Sequence, residues 1–244
     1  MTPAPSPRLH VLMRPGSPIA LVIRQGPSRT FCTLSWQLGP DRFEVGQWVK
    51  HKLYPERGDI SPDGKWHIYF ALNGQWSSET KGSWTGLAKV PYLKCVKMWP
   101  QGDTWGGGGL IYRTGDVPRA QGNVIVQPPL PPQFRFVRGT QTERLQRDGW
   151  TRARLGFEKP IGEWTLRKYP PSMGFTETHE LVAPDGTVHD CHAWEWADLD
   201  MIRERIVYAE DGRIWTVDAA DPIGGPRLLF DAHGMTFQAI EAPY

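Results

Sequence analysis

Several features that are scarce or missing in the 244 residues exclude whole classes of protein. Three cysteines, Cys32, Cys95 and Cys191, are too few and too scattered for a disulfide framework, and their odd number leaves one unpaired. The 28 basic and 26 acidic residues nearly cancel, so no charge excess indicates a nucleic-acid or membrane binder. Near the N-terminus the longest apolar run, residues 19–23, is too short for a signal segment or a membrane span. We therefore expect a cytoplasmic protein that binds neither nucleic acid nor membrane.

Uninterrupted helical periodicity is also missing, because 26 glycines and 23 prolines divide the chain into short segments. Between them lie apolar and β-branched runs of strand length, which turn residues separate. The sequence therefore predicts an all-β protein. The predicted strands are 19–24, 31–37, 42–48, 66–72, 86–90, 92–98, 109–112, 123–126, 134–138, 150–155, 164–169, 179–182, 188–194, 205–208, 213–217 and 227–230.

A unit of four strands joined by short turns occurs at least twice. One copy is built around SPDGKW at residues 61–66 and the other around EDGRIWTVD at residues 210–218. These two units resemble blades of TolB-like and WD-type β-propellers, over about 90 residues together. The resemblance implies a single closed β-propeller domain over residues 1–244, with five four-stranded blades and a flexible arm at residues 1–9. The first blade has only three predicted strands, so the C-terminal segment 236–244 is expected to complete it.

The run GDTWGGGG, residues 102–109, invites a comparison with phosphate-binding loops. It lacks the Lys-Ser/Thr pair of a P-loop, and the LIYR that follows it is a strand pattern rather than a helix. Glycine also permits backbones to approach closely where the inner strands of a propeller converge. Close packing is therefore the preferred interpretation, with a backbone amide pocket for a small anion at the axis as the alternative.

Carboxylates suited to acid and base catalysis would lie on the inner strands of a propeller, around its central channel. The repeat alignment places Asp59, Glu195 and Asp198 there, and Asp103 lies beside the glycine run. Some five-bladed propellers are glycosidases that use two or three such groups. Acidic residues near the start of a blade more often accept hydrogen bonds from turn amides. These four residues are thus only candidate catalytic groups.

Twelve tryptophans suggest an exposed aromatic surface. Trp76, Trp84 and Trp105 lie among small polar residues typical of loops, where aromatic side chains bind proteins, stack on sugars or pin the loop. With Arg113 they form the predicted binding residues. The favoured function is a non-catalytic scaffold that docks a protein partner, and the alternative is a carbohydrate-active enzyme or lectin at the central funnel.

Two further groups of residues carry weaker hypotheses. His189, Cys191 and His192 lie close together and include two zinc-ligand types on one strand face, yet no paired ligand spacing supports a metal. No cofactor is expected. Arginines cluster between residues 138 and 154 with acidic residues among them, so we predict a solvated surface. The arginines are Arg138, Arg144, Arg147, Arg152 and Arg154.

Overall fold

The computed structural model describes residues 5–117, 130–170 and 177–244. Strands within these ranges form five antiparallel sheets, each built from strands that follow one another along the chain, and none of these sheets closes on itself. The predicted all-β architecture of several antiparallel sheets is therefore confirmed. The predicted strand 123–126 lies outside the described residues. No helix in the described part of the chain is long and apolar enough to cross a membrane.

The first two sheets come from the N-terminal part of the chain. Sheet one contains β1 (Arg8–Leu12), β2 (Ile19–Gln25), β3 (Phe31–Gln37) and β4 (Arg42–Val49) in that order. Sheet two contains β5 (Lys52–Leu53), β6 (Asp59–Ile60), β7 (Trp66–Leu72), β8 (Ser83–Lys89) and β9 (Lys97–Pro100). Both β5 and β6 pair with β7, and a 3-10 turn at Pro55–Arg57 separates them.

The remaining three sheets follow in chain order. Sheet three contains β10 (Leu110–Arg113) and β11 (Phe134–Val137). Sheet four contains β12 (Thr151–Arg152), β13 (Phe157–Ile161), β14 (Trp164–Tyr169), β15 (Thr178–Val182) and β16 (Val188–Asp190). Sheet five contains β17 (Trp196–Asp200), β18 (Arg205–Glu210), β19 (Arg213–Asp218) and β20 (Arg227–Asp231).

Sheet one is complete without the C-terminal segment, so the prediction that residues 236–244 supply its missing strand is wrong. Those residues form no strand. The first position in the sheet belongs to β1, which pairs with β2 from Arg8 opposite Gln25 to Leu12 opposite Leu21. Two residues of the predicted flexible arm, Arg8 and Leu9, therefore already belong to a strand. The prolines on either side of RLHVL made its short alternation of buried and less buried residues hard to recognise; in that alternation Leu9 and Val11 are buried.

Apolar clusters join the sheets face to face. Residues of sheet one share one cluster with sheet five and another with sheet two. Further clusters join sheet two to sheet three and sheet four to sheet five. The central strands β2 and β3 are buried on both faces, because neighbouring sheets cover each side. This explains the continuous apolar run of residues 19–23 in β2, whereas β3 alternates apolar and polar residues and buries Thr33 and Ser35 as well.

The only α-helix in the described ranges, α1 (Gln141–Arg147), follows sheet three. It begins with a capping box, in which the Thr140 side chain accepts a hydrogen bond from the Glu143 backbone while the Glu143 carboxylate accepts one from the Thr140 backbone. Arg144 is buried, and Arg147 has only 11% of its side chain exposed. The predicted solvated surface is therefore wrong for these two arginines, because α1 turns them toward the middle of the molecule.

Candidate functional site

Two cavities lie at opposite ends of α1. The upper cavity, of about 370 Å³, contains Gln141 from the start of α1 together with Arg8, His10, Glu56, Glu177 and Glu195. The lower cavity, of about 400 Å³, contains Arg147 from the end of the helix together with Arg14, Tyr112, Arg113, Asp116 and Asp148. Between them remains a space of about 20 Å³. The helix and its contacts therefore divide the middle of the molecule.

Asp59 lies in this dividing region and is held by Arg147. The guanidinium contacts both carboxylate oxygens at 2.6 and 2.9 Å, and the Ile111 amide donates to Asp59 at 2.7 Å. Burial alone would raise the pKa of Asp59, but Arg147 outweighs it and holds that pKa below its ordinary value. Arg147 also binds Asp148 at 2.9 Å. Both oxygens of Asp59 are thus engaged in structural contacts.

Asp198 lies beside the same narrow space and is also fully engaged. One carboxylate oxygen accepts from the Lys159 ammonium at 2.6 Å and from the Leu199 amide at 2.7 Å. The other accepts from the indole nitrogen of Trp150 at 3.2 Å. Asp59 and Asp198 thus both line this narrow space, and each has a largely buried cation as its partner.

Glu177 forms the most deeply buried acidic group of the upper cavity. Its carboxylate contacts the Lys168 ammonium at 2.9 Å and accepts from the Gln141 amide at 2.8 Å. Burial alone would raise the pKa of Glu177, but Lys168 and the nearby His10 and His179 lower it to about 2. This residue is consequently ionised across the physiological range, with a lysine as its counter-ion.

Two other glutamates in the upper cavity have pKa values shifted in the opposite direction. Burial raises the pKa of both Glu56 and Glu195 above the usual value. The Leu9 amide donates to Glu195 at 3.4 Å, and neither glutamate forms an ion pair with any described residue. Nε2 of His10 is buried without a hydrogen-bond partner among the described residues, and burial lowers the pKa of His10 to about 3. The cavity thus contains carboxyl groups whose pKa values are displaced in opposite directions.

The glycine run packs closely against its surroundings. A Cβ at Gly107 would lie 2.2 Å from the Phe70 ring, and one at Gly108 would lie 2.1 Å from the Arg57 carbonyl. The amide of Gly108 donates to Thr85, and that of Gly109 donates to the Arg57 carbonyl. Both amides are therefore occupied, and the run contributes close packing at this point.

Asp103 stabilises the turn that precedes the glycines. Its exposed carboxylate accepts from the amides of Trp105 at 2.9 Å and Gly106 at 2.8 Å, and these bonds lower the pKa of Asp103. Arg57, which also lines the upper cavity, donates to the carbonyls of Thr104 and Gly106. The loop that bears Trp105 is thereby attached to the wall of the upper cavity.

Two of the three predicted loop tryptophans are exposed. Trp105 has 90% of its surface exposed and Trp76 has 52%. Their loops adjoin, since Gln101 donates to the Ser83 carbonyl and Ser83 donates to the Asp103 carbonyl. We call Trp76 and Trp105 the aromatic pair.

Trp84 does not belong to the aromatic pair, and the prediction that it is exposed is wrong. It lies in β8 opposite Ala71 and is only 7% exposed. Its ring packs into the cluster between sheets one and two and touches the His51 ring edge-on. The polar residues SSETKG, 77–82, belong to the turn, and the strand begins at Ser83, one residue before the tryptophan.

The other predicted site residues lie away from the aromatic pair. Arg113 is at the far end of β10 and lines the lower cavity. His192 contacts the Asp190 carboxylate on the surface, and His189 packs against Trp164 with ring centroids 5.6 Å apart. Cys191 directs its thiol to the His189 carbonyl. Within the described ranges, no three His, Cys, Asp or Glu side chains are grouped as metal ligands.

Sequence reasoning missed most of the upper cavity. His10 was assigned to no element, because β1 was not recognised, and Glu56 lies in a 3-10 turn that has no sequence signature. The helix could have been found: Thr140-Gln-Thr-Glu143 followed by Leu145 is a capping box before an apolar residue. Glu177 carries no local signal, since its role arises only from contacts with Lys168 and Gln141.

Comparison with known proteins identifies no family. No protein-family model matches the chain, and no curated protein sequence matches it. Among solved structures, the β-propeller domain of the Trilobed protease from Pyrococcus furiosus is similar at 10% identity and a TM-score of 0.40, covering 94% of this chain and 100% of that one. Acylaminoacyl peptidase from Pyrococcus horikoshii is similar at 10% identity and a TM-score of 0.34, covering 93% of this chain.

The AtxE2 isopeptidase is also similar, at 12% identity and a TM-score of 0.35, over 98% of this chain. The chain spans 45% of the acylaminoacyl peptidase and 47% of the isopeptidase. TM-scores below 0.5 carry no conclusion about activity. The description of the fold therefore depends on the sheet order and packing of the chain itself.

Proposed function

We propose that the five sheets are the blades of one closed β-propeller, and that this propeller is a non-catalytic module that docks a protein partner around the upper cavity. The packing of sheet one against both sheet two and sheet five supports a closed ring. Between sheets three and four lies α1, whose Arg147 contacts the Tyr112 ring of sheet three and whose Leu145 packs in the apolar cluster of sheet four.

The observation that carries the proposed docking function is the exposure of the aromatic pair beside the upper cavity. Exposed tryptophans on adjoining loops are costly unless a partner covers them, and Trp and Arg are the residues that dominate protein interfaces. Arg57 connects this surface to a cavity lined by charges of both signs. A partner would thus find apolar contact area next to a polar recess.

Three of the four predicted catalytic acids are engaged in structural contacts, which supports a non-catalytic role. A general acid or nucleophile must reach a substrate, whereas Asp59 and Asp198 direct their oxygens to Arg147, Lys159 and Trp150. Asp103 is committed to turn amides. Both oxygens of Asp59 and of Asp198 are occupied, and Oδ1 of Asp103 accepts both turn amides, which favours binding over catalysis.

The docking function can be tested by capturing partners from the native host with the wild-type chain and with a Trp76→Ala/Trp105→Ala double variant. We expect a stoichiometric protein partner whose affinity falls at least about thirtyfold in the double variant. Ile223→Ala, which removes an exposed apolar side chain in the β19–β20 loop, is the matched control and should bind normally. Equal capture by the double variant and the wild type would contradict the proposal.

A second candidate function is the binding or cleavage of a carbohydrate in the upper cavity. It is favoured by Glu177, whose pKa is about 2, lying in one cavity with Glu56 and Glu195, whose pKa values are raised, because such divergence separates acid from base roles. A glycan array and hydrolysis assays with the wild type and with Glu195→Gln would test it. Glycan binding without a stoichiometric protein partner would replace the docking function with this one.

A further inference from the structure

A groove of about 510 Å³ lies between sheets four and five, at the end of β17 remote from the upper cavity. Its walls are the β13–β14 turn, the β17–β18 turn and the end of β19. The apolar lining consists of Ile161, Trp164, Leu199 and Met201, and Met201 is 56% exposed. Water therefore covers apolar surface that a second molecule could bury.

The polar rim of this groove is uniformly acidic. Glu163, Glu204 and Asp218 line it, and no lysine or arginine does. None of the three carboxylates forms an ion pair within the part of the chain that the structure describes. The nearby Arg203 donates instead to the Gly39 carbonyl of sheet one. The groove thus presents apolar surface surrounded by unneutralised negative charge.

A turn of the same chain has the complementary chemistry. The turn between β12 and β13 is closed by a hydrogen bond from the Ala153 amide to the Gly156 carbonyl, at 2.9 Å. It carries Leu155, which is 71% exposed, and two exposed arginines, Arg152 and Arg154. We call residues 152–155 the basic turn. An apolar side chain flanked by cations is complementary to an apolar groove with an acidic rim.

The basic turn and the groove cannot meet within one molecule. They lie at opposite ends of β13, whose five residues separate them by roughly 16 Å. A contact between them must therefore join two molecules. Because it uses two different surfaces, it is head-to-tail and leaves one turn and one groove free at the ends.

We propose that the groove receives the basic turn of a second copy of this chain. Leu155 of one copy would cover Trp164 and Met201 of the next, and Arg152 and Arg154 would face Glu163, Glu204 and Asp218. A turn of four residues buries little area, so the association is weak and reversible, and salt weakens it further. It involves neither the aromatic pair nor the proposed docking function.

Sedimentation velocity of the intact chain tests this proposal. At low ionic strength, we expect the average sedimentation coefficient to rise over about a hundredfold increase in concentration. An Arg152→Glu/Arg154→Glu variant and a Glu163→Arg/Glu204→Arg variant should each associate at least about tenfold more weakly than the wild type. Arg29→Glu, a charge reversal in the β2–β3 turn of sheet one, is the control and should associate like the wild type.

Mixing the two charge-reversal variants gives the decisive outcome. Each variant alone presents a turn and a groove of the same sign, whereas in the mixture every contact again joins opposite charges. Association should therefore return in the mixture, and circular dichroism should show that each variant is folded. A wild type that stays monomeric at the highest concentration would overturn the proposal. Unchanged association of either variant, or a mixture that does not associate, would overturn it as well.

Discussion

At the scale of single residues, the segment 102–109 combines two opposite requirements. Gly107, Gly108 and Gly109 allow the backbone to pass Phe70, Arg57 and Phe136 at distances that no side chain permits. Trp105, two residues before Gly107, is almost fully exposed. Asp103 stabilises the turn between these two parts. The segment thus fixes an exposed aromatic ring on a backbone that packing holds rigidly.

Replacing Gly108 by alanine should destabilise the protein strongly. Its φ of +78° disfavours a side chain, and the new Cβ would lie 2.1 Å from the Arg57 carbonyl oxygen. We expect a loss of about 2–4 kcal/mol, measured as a lower urea midpoint. Gly106→Ala is the matched control, since its nearest neighbour is at 3.5 Å. Equal midpoints for the two variants would contradict the packing role.

Stability should also fall as the pH is lowered, because four buried or half-buried histidines are held in their neutral form. Burial lowers the pKa of His10 to about 3 and those of His51, His67 and His179 to about 4. In the unfolded chain these groups bind protons near pH 6.5, so their stabilising contribution is present above that pH and is lost as pH falls toward 4.

Each of these histidines adds up to about 1.4 kcal/mol per pH unit to the slope of unfolding free energy in that window. Urea titrations at several pH values measure the slope. His51→Gln should reduce it by close to one proton. A slope of zero between pH 6.5 and 4.5 would show that the buried histidines do not remain neutral.

At the scale of elements, α1 is a helix of seven residues whose position depends on its arginines. Arg144 donates to the Gly58 carbonyl at 2.6 Å, and Arg147 joins Asp59 of sheet two to Asp148. So short a helix is unstable alone in water. The capping box and these buried contacts therefore hold it in place.

Arg147→Met should destabilise the protein by about 3–5 kcal/mol, because it leaves two buried carboxylates without their cation. Adding Asp59→Asn removes one of those charges and should recover part of the loss. Chemical denaturation of the wild type, both single variants and the double variant measures this coupling. A double variant less stable than Arg147→Met by the full cost of Asp59→Asn would mean that the two residues act independently.

The strands were more predictable from sequence than the elements that build the site. Runs such as 31–37 and 66–72 match β3 and β7, because segments rich in apolar and aromatic residues between turn residues are typical of strands. β1 and β13 were missed, because prolines lie around the first and within the second. The lining of the upper cavity depends on contacts between distant residues such as Lys168 and Glu177, which no local pattern encodes.

At the scale of the whole molecule, the C-terminal tail crosses two sheets from outside instead of adding a strand. Phe237 packs on Trp48 of sheet one, and Gln47 donates to the Ile240 carbonyl at 3.0 Å. Farther on, the Tyr244 hydroxyl donates to the Lys94 carbonyl at 2.9 Å and accepts from the Lys89 amide. Through these contacts the tail connects sheet one to sheet two.

Deleting residues 236–244 should consequently weaken the protein without unfolding it. Sheet one keeps its four strands, so only the partly buried contacts of Phe237, Ile240 and Tyr244 are lost, at about 2–4 kcal/mol. The far-ultraviolet circular dichroism spectrum should stay that of a β protein while the urea midpoint falls. Complete unfolding of the truncated chain would mean that the tail belongs to the core.

The division created by α1 also determines how solutes enter the protein. The space of about 20 Å³ between the cavities accommodates at most a single water molecule. The two cavities are therefore separate recesses rather than the two mouths of one channel. Within the described residues, a compound that fills one recess has no inner route to the other, so an inhibitor designed for either cavity would leave the other available.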